Sequence, residues 1–86
     1  WWNDEELKAL SARVVRAAPD DVQANQMRAL VLSGQGRAWE AGPRSAAELK
    51  EAAAHYERAA ALYPAPAGKA HFAVTAAWCR SQAGAI

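Results

Sequence analysis

Residues Ser45–Pro64, SAAELKEAAAHYERAAALYP, decide the fold. The Ser45 hydroxyl is placed to cap the free backbone N–H of Glu48, and the Glu48 carboxylate to reach back to Ser45, which makes a capping box. Leu49, Ala52, Ala53, Tyr56, Ala59, Ala60 and Tyr63 then recur at helical spacing and form one apolar stripe. Pro64 has no N–H to donate and biases Tyr63 away from helical dihedrals, so the helix stops there. The stretch predicts a helix over 45–63.

Composition extends this reading to the whole chain. Its 86 residues make one small domain, 1–86, or two to three structural repeats. Alanine dominates, runs of Ile, Val or Leu are absent, and no segment alternates apolar with polar residues long enough for a strand. Because alanine has the best helix propensity and little bulk, the expected class is all-α with closely approaching helices. Ten basic residues are spread along the chain against nine acids, a net charge of +1, which argues against a nucleic-acid footprint. Apolar runs fall well short of the roughly 20 residues that cross a bilayer, so no membrane span is expected. One cysteine, Cys79, excludes an intrachain disulfide and leaves the redox compartment open. No Asn-X-Ser/Thr sequon is present. The chain starts Trp1-Trp2-Asn3 with neither methionine nor leader. We read it as a piece of a longer polypeptide, with the cytoplasm as the default compartment.

Three further helices are predicted. The first runs over about 4–17, with Asn3 as N-cap and Asp4, Glu5 and Glu6 in the dipole-favoured first turn. Leu7, Leu10, Val14 and Ala17 or Ala18 form its buried stripe. Trp2 and Leu7 stand at hydrophobic-staple spacing, and Pro19 closes the helix. The second covers about 21–33, with Asp20 and Gln23 as a capping box, an apolar face of Ala24, Met27, Leu30 and Val31, and Gly34 as its stop. Residues 34–44, GQGRAWEAGPR, form the clearest loop, and Trp39 is expected to pin it against the helices. After the connector Pro64-Ala65-Pro66-Ala67, a fourth helix covers about 68–83. It carries Ala70, Ala73, Val74 and Ala77 on one face and Phe72, Ala76 and Cys79 on an adjoining one, a pattern suited to burial on more than one side.

The order Ala52, Tyr56, Ala59, Pro64 resembles the second helix of a tetratricopeptide (TPR) repeat, in which a small residue, an aromatic, a second small residue and a terminal proline recur. The resemblance implies four antiparallel helices arranged as TPR-like hairpins, a fragment of an α-solenoid. It is strong in the third helix and weak in the second, where Asn25, Arg28, Ala29 and Leu32 replace the family's aromatic-Leu-Gly signature. Pro19 and Pro64 stand 45 positions apart rather than the family's 34, and the 34–44 loop takes up much of the excess. The family binds peptides in a groove lined by the first helix of each hairpin. Carried over, the groove positions are Gln23, Gln26, Leu30 and Ser33 on the second helix and His71, Thr75 and Trp78 on the fourth. Gln26 and Leu30 occupy positions where chaperone-binding members have Lys and Asn, so the carboxylate clamp of those members is not expected.

Chemistry-bearing patterns are sparse. His55 and His71 lack a His or Cys partner at i,i+4, and zinc needs three or four converging ligands, so no metal site is expected. Cys79 reads as a small buried apolar group, and no phosphate loop, paired acids or nucleophile elbow occurs, so neither catalysis nor a cofactor is expected. Glu48, Lys50, Glu51, Glu57 and Arg58 read as a solvated face, with Glu51 in reach of His55. Trp1 and Trp78 are equally suited to core or interface. The leading expectation is a non-catalytic module that binds a protein or peptide. The second is a structural subunit that stacks end to end, a homo-oligomer, because a repeat unit leaves both ends uncovered.

Overall fold

Side-chain caps start three of the helices. The Asn3 Oδ1 accepts from the Glu6 N–H at 2.8 Å, the Asp21 Oδ2 from the Ala24 N–H at 2.8 Å, and the Ser45 Oγ from the Glu48 N–H at 3.1 Å. The Glu48 Oε1 closes the box on the Ser45 N–H at 3.0 Å. A computed structural model describes every residue except Trp1, Trp2, Arg37, Ala38 and Glu40. In it these caps open α1 (Asp4–Ala17), α2 (Val22–Ser33) and α3 (Ala46–Leu62). The fourth helix, α4 (Pro66–Gly84), has no side-chain cap. Pro66 starts it two residues before the predicted boundary, because a missing N–H costs nothing in the first turn. The described residues contain no strand, and the chain is all-α. The predicted staple between Trp2 and Leu7, and any interface role of Trp1, fall outside the described residues.

One N-cap differs from expectation. Asp21 caps α2, whereas Asp20 faces outward and pairs with Arg58 of α3. The two aspartates compete for the same role, and the ion pair to α3 takes Asp20 out of it. At the other end of α2, Gly34 sits at φ 70°, a left-handed conformation in which its N–H caps the Leu30 and Val31 carbonyls.

The core lies around α3, which has its most extensive contacts with α4 and then with α2. Ala52, Ala53 and Ala59 have no solvent exposure, and with Ala29, Leu32, Tyr56, Phe72, Ala76 and Cys79 they form one buried cluster. Alanines let the helix axes approach closely, and the aromatics fill what remains. The Phe72 ring stacks at 6.3 Å from Tyr56 and meets Tyr63 edge-on at 5.6 Å. A radius of gyration of 12.2 Å matches the roughly 12 Å expected of a folded domain this long.

Two predicted faces are corrected. On α4 the alanine-valine face is outside: Ala70, Ala73, Val74 and Ala77 are exposed, and Phe72, Ala76, Cys79 and Ala83 are buried. One phenylalanine buries more apolar area than several alanines, so the helix is rotated to seat Phe72 between the two tyrosines. On α1 the predicted stripe is only half covered. Leu7, Leu10, Val14 and Ala18 are half-buried, Ala17 is exposed, and the one buried residue is Ser11. The cause is polar. The Arg28 Nη1 donates to the Lys8 carbonyl at 2.8 Å and to the Ser11 Oγ at 3.1 Å, so α1 meets α2 around a hydroxyl rather than a leucine.

The charges of α3 lie on an exposed face, as expected, and four of them also reach neighbouring elements. Lys50, Glu51, Glu57 and Arg58 are exposed and Glu48 is half-buried; Glu48 pairs with Lys8 at 2.6 Å, Glu51 with Arg28 at 3.2 Å, Glu57 with Arg80 at 2.6 Å, and Arg58 with Asp20. Long side chains at the edges of a close-packed helix reach its neighbours, which spacing within the helix does not reveal.

Candidate functional site

On α2, Gln23, Gln26, Met27, Leu30 and Val31 follow the i, i+3, i+4, i+7, i+8 rule and share one face. With Leu7 of α1 and Trp39 of the loop they line a cleft of about 510 Å³. Ala29 and Leu32, on the other side of α2, belong to the core cluster. The cleft is therefore the part of α2 that α3 does not cover. Among the described residues no charged side chain lines it, and its amide groups come from Gln23, which is exposed, and Gln26, which is half-buried.

Trp39 is held in place by a polar clasp. Its indole Nε1 donates to the Asp4 Oδ1 at 2.8 Å. Arg44 grips the same carboxylate with two parallel bonds, Nη1 to Oδ2 at 2.7 Å and Nη2 to Oδ1 at 2.6 Å, and Nη2 also donates to the Val31 carbonyl at 2.9 Å. Among the described residues the Arg44 Nε is buried without a partner. Gly36 lies directly behind the indole, since a Cβ there would stand 2.0 Å from the ring carbon Cζ3. The clasp thus ties the middle of the loop, at Trp39, and its C-terminal end, at Arg44, to the first turn of α1 and the last turn of α2.

Charge is strongly polarised in this clasp. The Arg44 guanidinium holds the Asp4 carboxyl far below the usual carboxylate range, and Asp4 in turn raises Arg44. Next to it, Lys8 lowers Glu48 and is itself raised by that pair. Elsewhere the Asn25 amide donates to the Pro19 and Asp21 carbonyls at 3.0 and 2.9 Å, which turns its Oδ1 toward the His55 Nδ1 at 3.0 Å. That arrangement requires the Nδ1–H tautomer of neutral His55. Burial pushes the His55 pKa down and the Cys79 thiol up, so His55 favours its neutral form and Cys79 stays protonated.

Of the carried-over groove residues, Gln23, Gln26 and Leu30 line the cleft. Ser33 does not. It is buried, with its hydroxyl 3.2 Å from the Leu30 carbonyl and 3.0 Å from the Gln35 Oε1, which also accepts from the Tyr56 hydroxyl. Ser33 is thus occupied in closing the end of α2. His71 and Trp78 are exposed and Thr75 is half-buried on α4, and none of them lines the cleft. The cleft walls are α1, α2 and the loop, and α4 contributes none of its lining residues. Of the four residues that carry the resemblance, Ala52, Tyr56 and Ala59 are buried at the centre of α3 and Pro64 is exposed beyond its end. Sequence reasoning missed Leu7 and Met27 as lining residues and Asp4 and Arg44 as their supports. The missed signal was the apolar surplus of α2, which carries one stripe for α3 and a second for the cleft.

No group of three or more His, Cys, Asp or Glu residues placed to hold a metal occurs among the described residues. No helix of the described residues is long and apolar enough to cross a membrane. A scan against protein-family models, a search of curated proteins and a search of solved structures each return no significant match.

Proposed function

We propose that the chain is a non-catalytic protein-interaction module of TPR-like type, which takes an apolar segment of a protein or peptide partner in the cleft between α1, α2 and Trp39. The observation that carries this reading is the cleft itself: about 510 Å³ lined by Leu7, Met27, Leu30, Val31 and Trp39 with two glutamines. Recognition sites are commonly such concave apolar surfaces with a few polar groups that fix orientation. The TPR-like part of the proposal draws support from the burial of Ala52, Tyr56 and Ala59 on a helix that touches both neighbours. Short connections, residues 18–21 and 63–65, favour antiparallel neighbours. Panning a random peptide display library against the chain should enrich sequences with two or more apolar or aromatic residues. Leu30→Lys should abolish binding of the selected peptides by calorimetry, with circular dichroism unchanged. Peptides that bind the variant as tightly as the parent would remove the cleft from the reading.

A second reading, end-to-end stacking, is favoured by a separate observation. Val74 and Trp78 on α4, and Ile86 beyond its end, are 70%, 44% and 71% exposed. Exposed apolar side chains grouped on one helix face, as Val74 and Trp78 are at i,i+4, are a feature of protein-interaction surfaces. Light scattering over a concentration series separates the two readings, since growth in mass with concentration belongs to the stacking subunit alone.

A further inference from the structure

We infer that His55 is a pH-sensitive latch on α1: once charged, its ring takes the Glu51 oxygen on which Arg28 rests, and so loosens the hold of Arg28 on α1. The consequence for the cleft rests on the interaction-module reading; the latch itself does not.

The Asn25 side chain fixes the tautomer of His55. Asn25 is buried, and its amide N–H groups donate to the Pro19 and Asp21 carbonyls at 3.0 and 2.9 Å. Only its Oδ1 is left for the His55 Nδ1, so the neutral ring carries its proton there. The bare Nε2 then stands 3.6 Å from the Glu51 Oε2, two acceptors with no proton between them. A second proton on the ring fills that gap and turns the contact into an ion pair.

The same Glu51 oxygen already serves Arg28. The Arg28 Nε and Nη2 each lie 3.2 Å from it. The remaining nitrogen, Nη1, donates to the Lys8 carbonyl at 2.8 Å and to the Ser11 Oγ at 3.1 Å. One guanidinium on α2 thus joins Glu51 of α3 to the middle of α1. Charging His55 makes two cations share one oxygen, and Arg28, with a side chain only 14% exposed, has little water to replace what it loses. The cations also repel. Arg28 opposes the charging of His55, and the opposition is mutual.

The charges that bear on His55 are Glu51 of its own helix and Arg28 of α2. Those of the other packed elements are engaged elsewhere among the described residues. Asp20 pairs with Arg58, the Asp21 carboxylate caps α2, and Lys8 of α1 pairs with Glu48, Asp4 and Glu5. On α4, Lys69 donates to the Ala60 and Ala61 carbonyls and Arg80 pairs with Glu57. Burial opposes the charged ring more than Glu51 favours it, so His55 is neutral at pH 7 and takes up its proton below its ordinary 6.5.

The helix that this proton reaches is α1. Of the helices, α1 packs extensively on α2 alone, and its one buried residue is the Ser11 that Arg28 binds. It also carries Leu7 of the cleft wall and Asp4, which accepts from the Trp39 indole. A loosened α1 therefore takes two walls of the cleft with it.

The test is NMR on the ligand-free full chain between about pH 7 and pH 5, an interval set about the ordinary His value. The His55 ring, the Arg28 Nε–H and the hydrogen exchange of α1 amides relative to α3 amides are followed in the parent, His55→Gln and Glu51→Gln, with helicity checked by circular dichroism. In the parent, the Arg28 Nε–H should shift along the His55 titration curve. Protection of α1 should fall about two- to fourfold, the worth of a partly exposed ion pair. Both responses should vanish in His55→Gln. In Glu51→Gln the ring should still titrate while Arg28 and α1 no longer follow it, a separation that a merely structural His55 does not produce. An α1 that keeps its protection while His55 charges, or that loses it equally in either variant, overturns the latch. Calorimetry with a display-selected peptide at both ends of the interval reads the cleft: affinity should fall in the parent and hold in His55→Gln. Affinity that holds in the parent while α1 loosens overturns the coupling to the cleft and keeps the latch. A chain that binds no peptide at either pH overturns the module, and the exchange data still decide the latch.

Discussion

The two halves of the molecule hold together by different means. Around α3, alanines without solvent exposure bring helices close and three aromatic rings fill the space, so cohesion there comes from burial. Around α1, the one buried residue is a serine, and cohesion comes from charge-assisted hydrogen bonds that converge on Asp4, Arg44 and Arg28. The contrast shows why the cleft exists. A burial-driven interface closes on itself and leaves no space, whereas a polar clasp holds Leu7 and Trp39 at a distance from α2 and keeps an apolar gap open.

The largest expected effect tests the burial half. Phe72→Ala removes the ring between Tyr56 and Tyr63 and should cost about 3–5 kcal/mol in urea unfolding. A domain this size has on the order of 4–13 kcal/mol in total, so the variant should be near its unfolding threshold. Loss of less than about 1 kcal/mol would mean that α4 is not part of the core.

Asp4→Ala tests the clasp. It strands Arg44, whose side chain is 7% exposed, and should cost about 3 kcal/mol. The pair Asp4→Leu with Arg44→Met should regain most of that loss, since no charge is then left buried. A double variant no better than the single one would show that packing, not charge, holds the loop. The same clasp sets an acid limit. The folded-state pKa of Asp4 lies below its ordinary 3.8, so its contribution is complete above that pH and fades as the pH falls below about 4. Asp4→Asn should remove that part of the acid dependence.

Gly34→Ala sharpens the boundary between the halves. A left-handed φ strains any L side chain by roughly 1–2 kcal/mol, and the added Cβ would stand 3.1 Å from the Arg44 Nε. Thermal melting should therefore show a loss larger than strain alone, and a neutral substitution would contradict the clasp geometry. The smallest effect is expected at His55. Its folded pKa is lowered by burial, so its contribution is present above pH 6.5 and is lost as the pH falls through the lowered value. His55→Gln should flatten stability between pH 7 and 5 by a fraction of a kcal/mol, an interval chosen about the ordinary His value.

Legibility in the sequence followed the same division. The Ser45–Glu48 box, the Asn3 cap and the stops at Pro19 and Pro64 depend on residues three or four positions apart, and all could be read directly. Trp39 was identifiable as an anchor by its size, but its partner Asp4 lies 35 positions away, and Asp4 and Arg44 stand 40 positions apart with no local pattern to join them. Of the cleft, Gln23, Gln26 and Leu30 were named from resemblance, while Leu7 and Met27 were assigned to buried stripes. Both are half-buried, because α1 is covered by α2 on one side and α2 has more apolar surface than α3 occupies.

By itself the sequence determined four helices, the Asn3 and Ser45 caps and the all-α class, because backbone hydrogen bonding and capping are short-range. Tertiary structure decided the rotation of α4, the exposure of Val74 and Trp78, the Asp4–Arg44 clasp and the cleft. Those depend on which of several apolar stripes wins a limited area of contact, a competition settled by side-chain volume and by charges brought together only when the chain is folded.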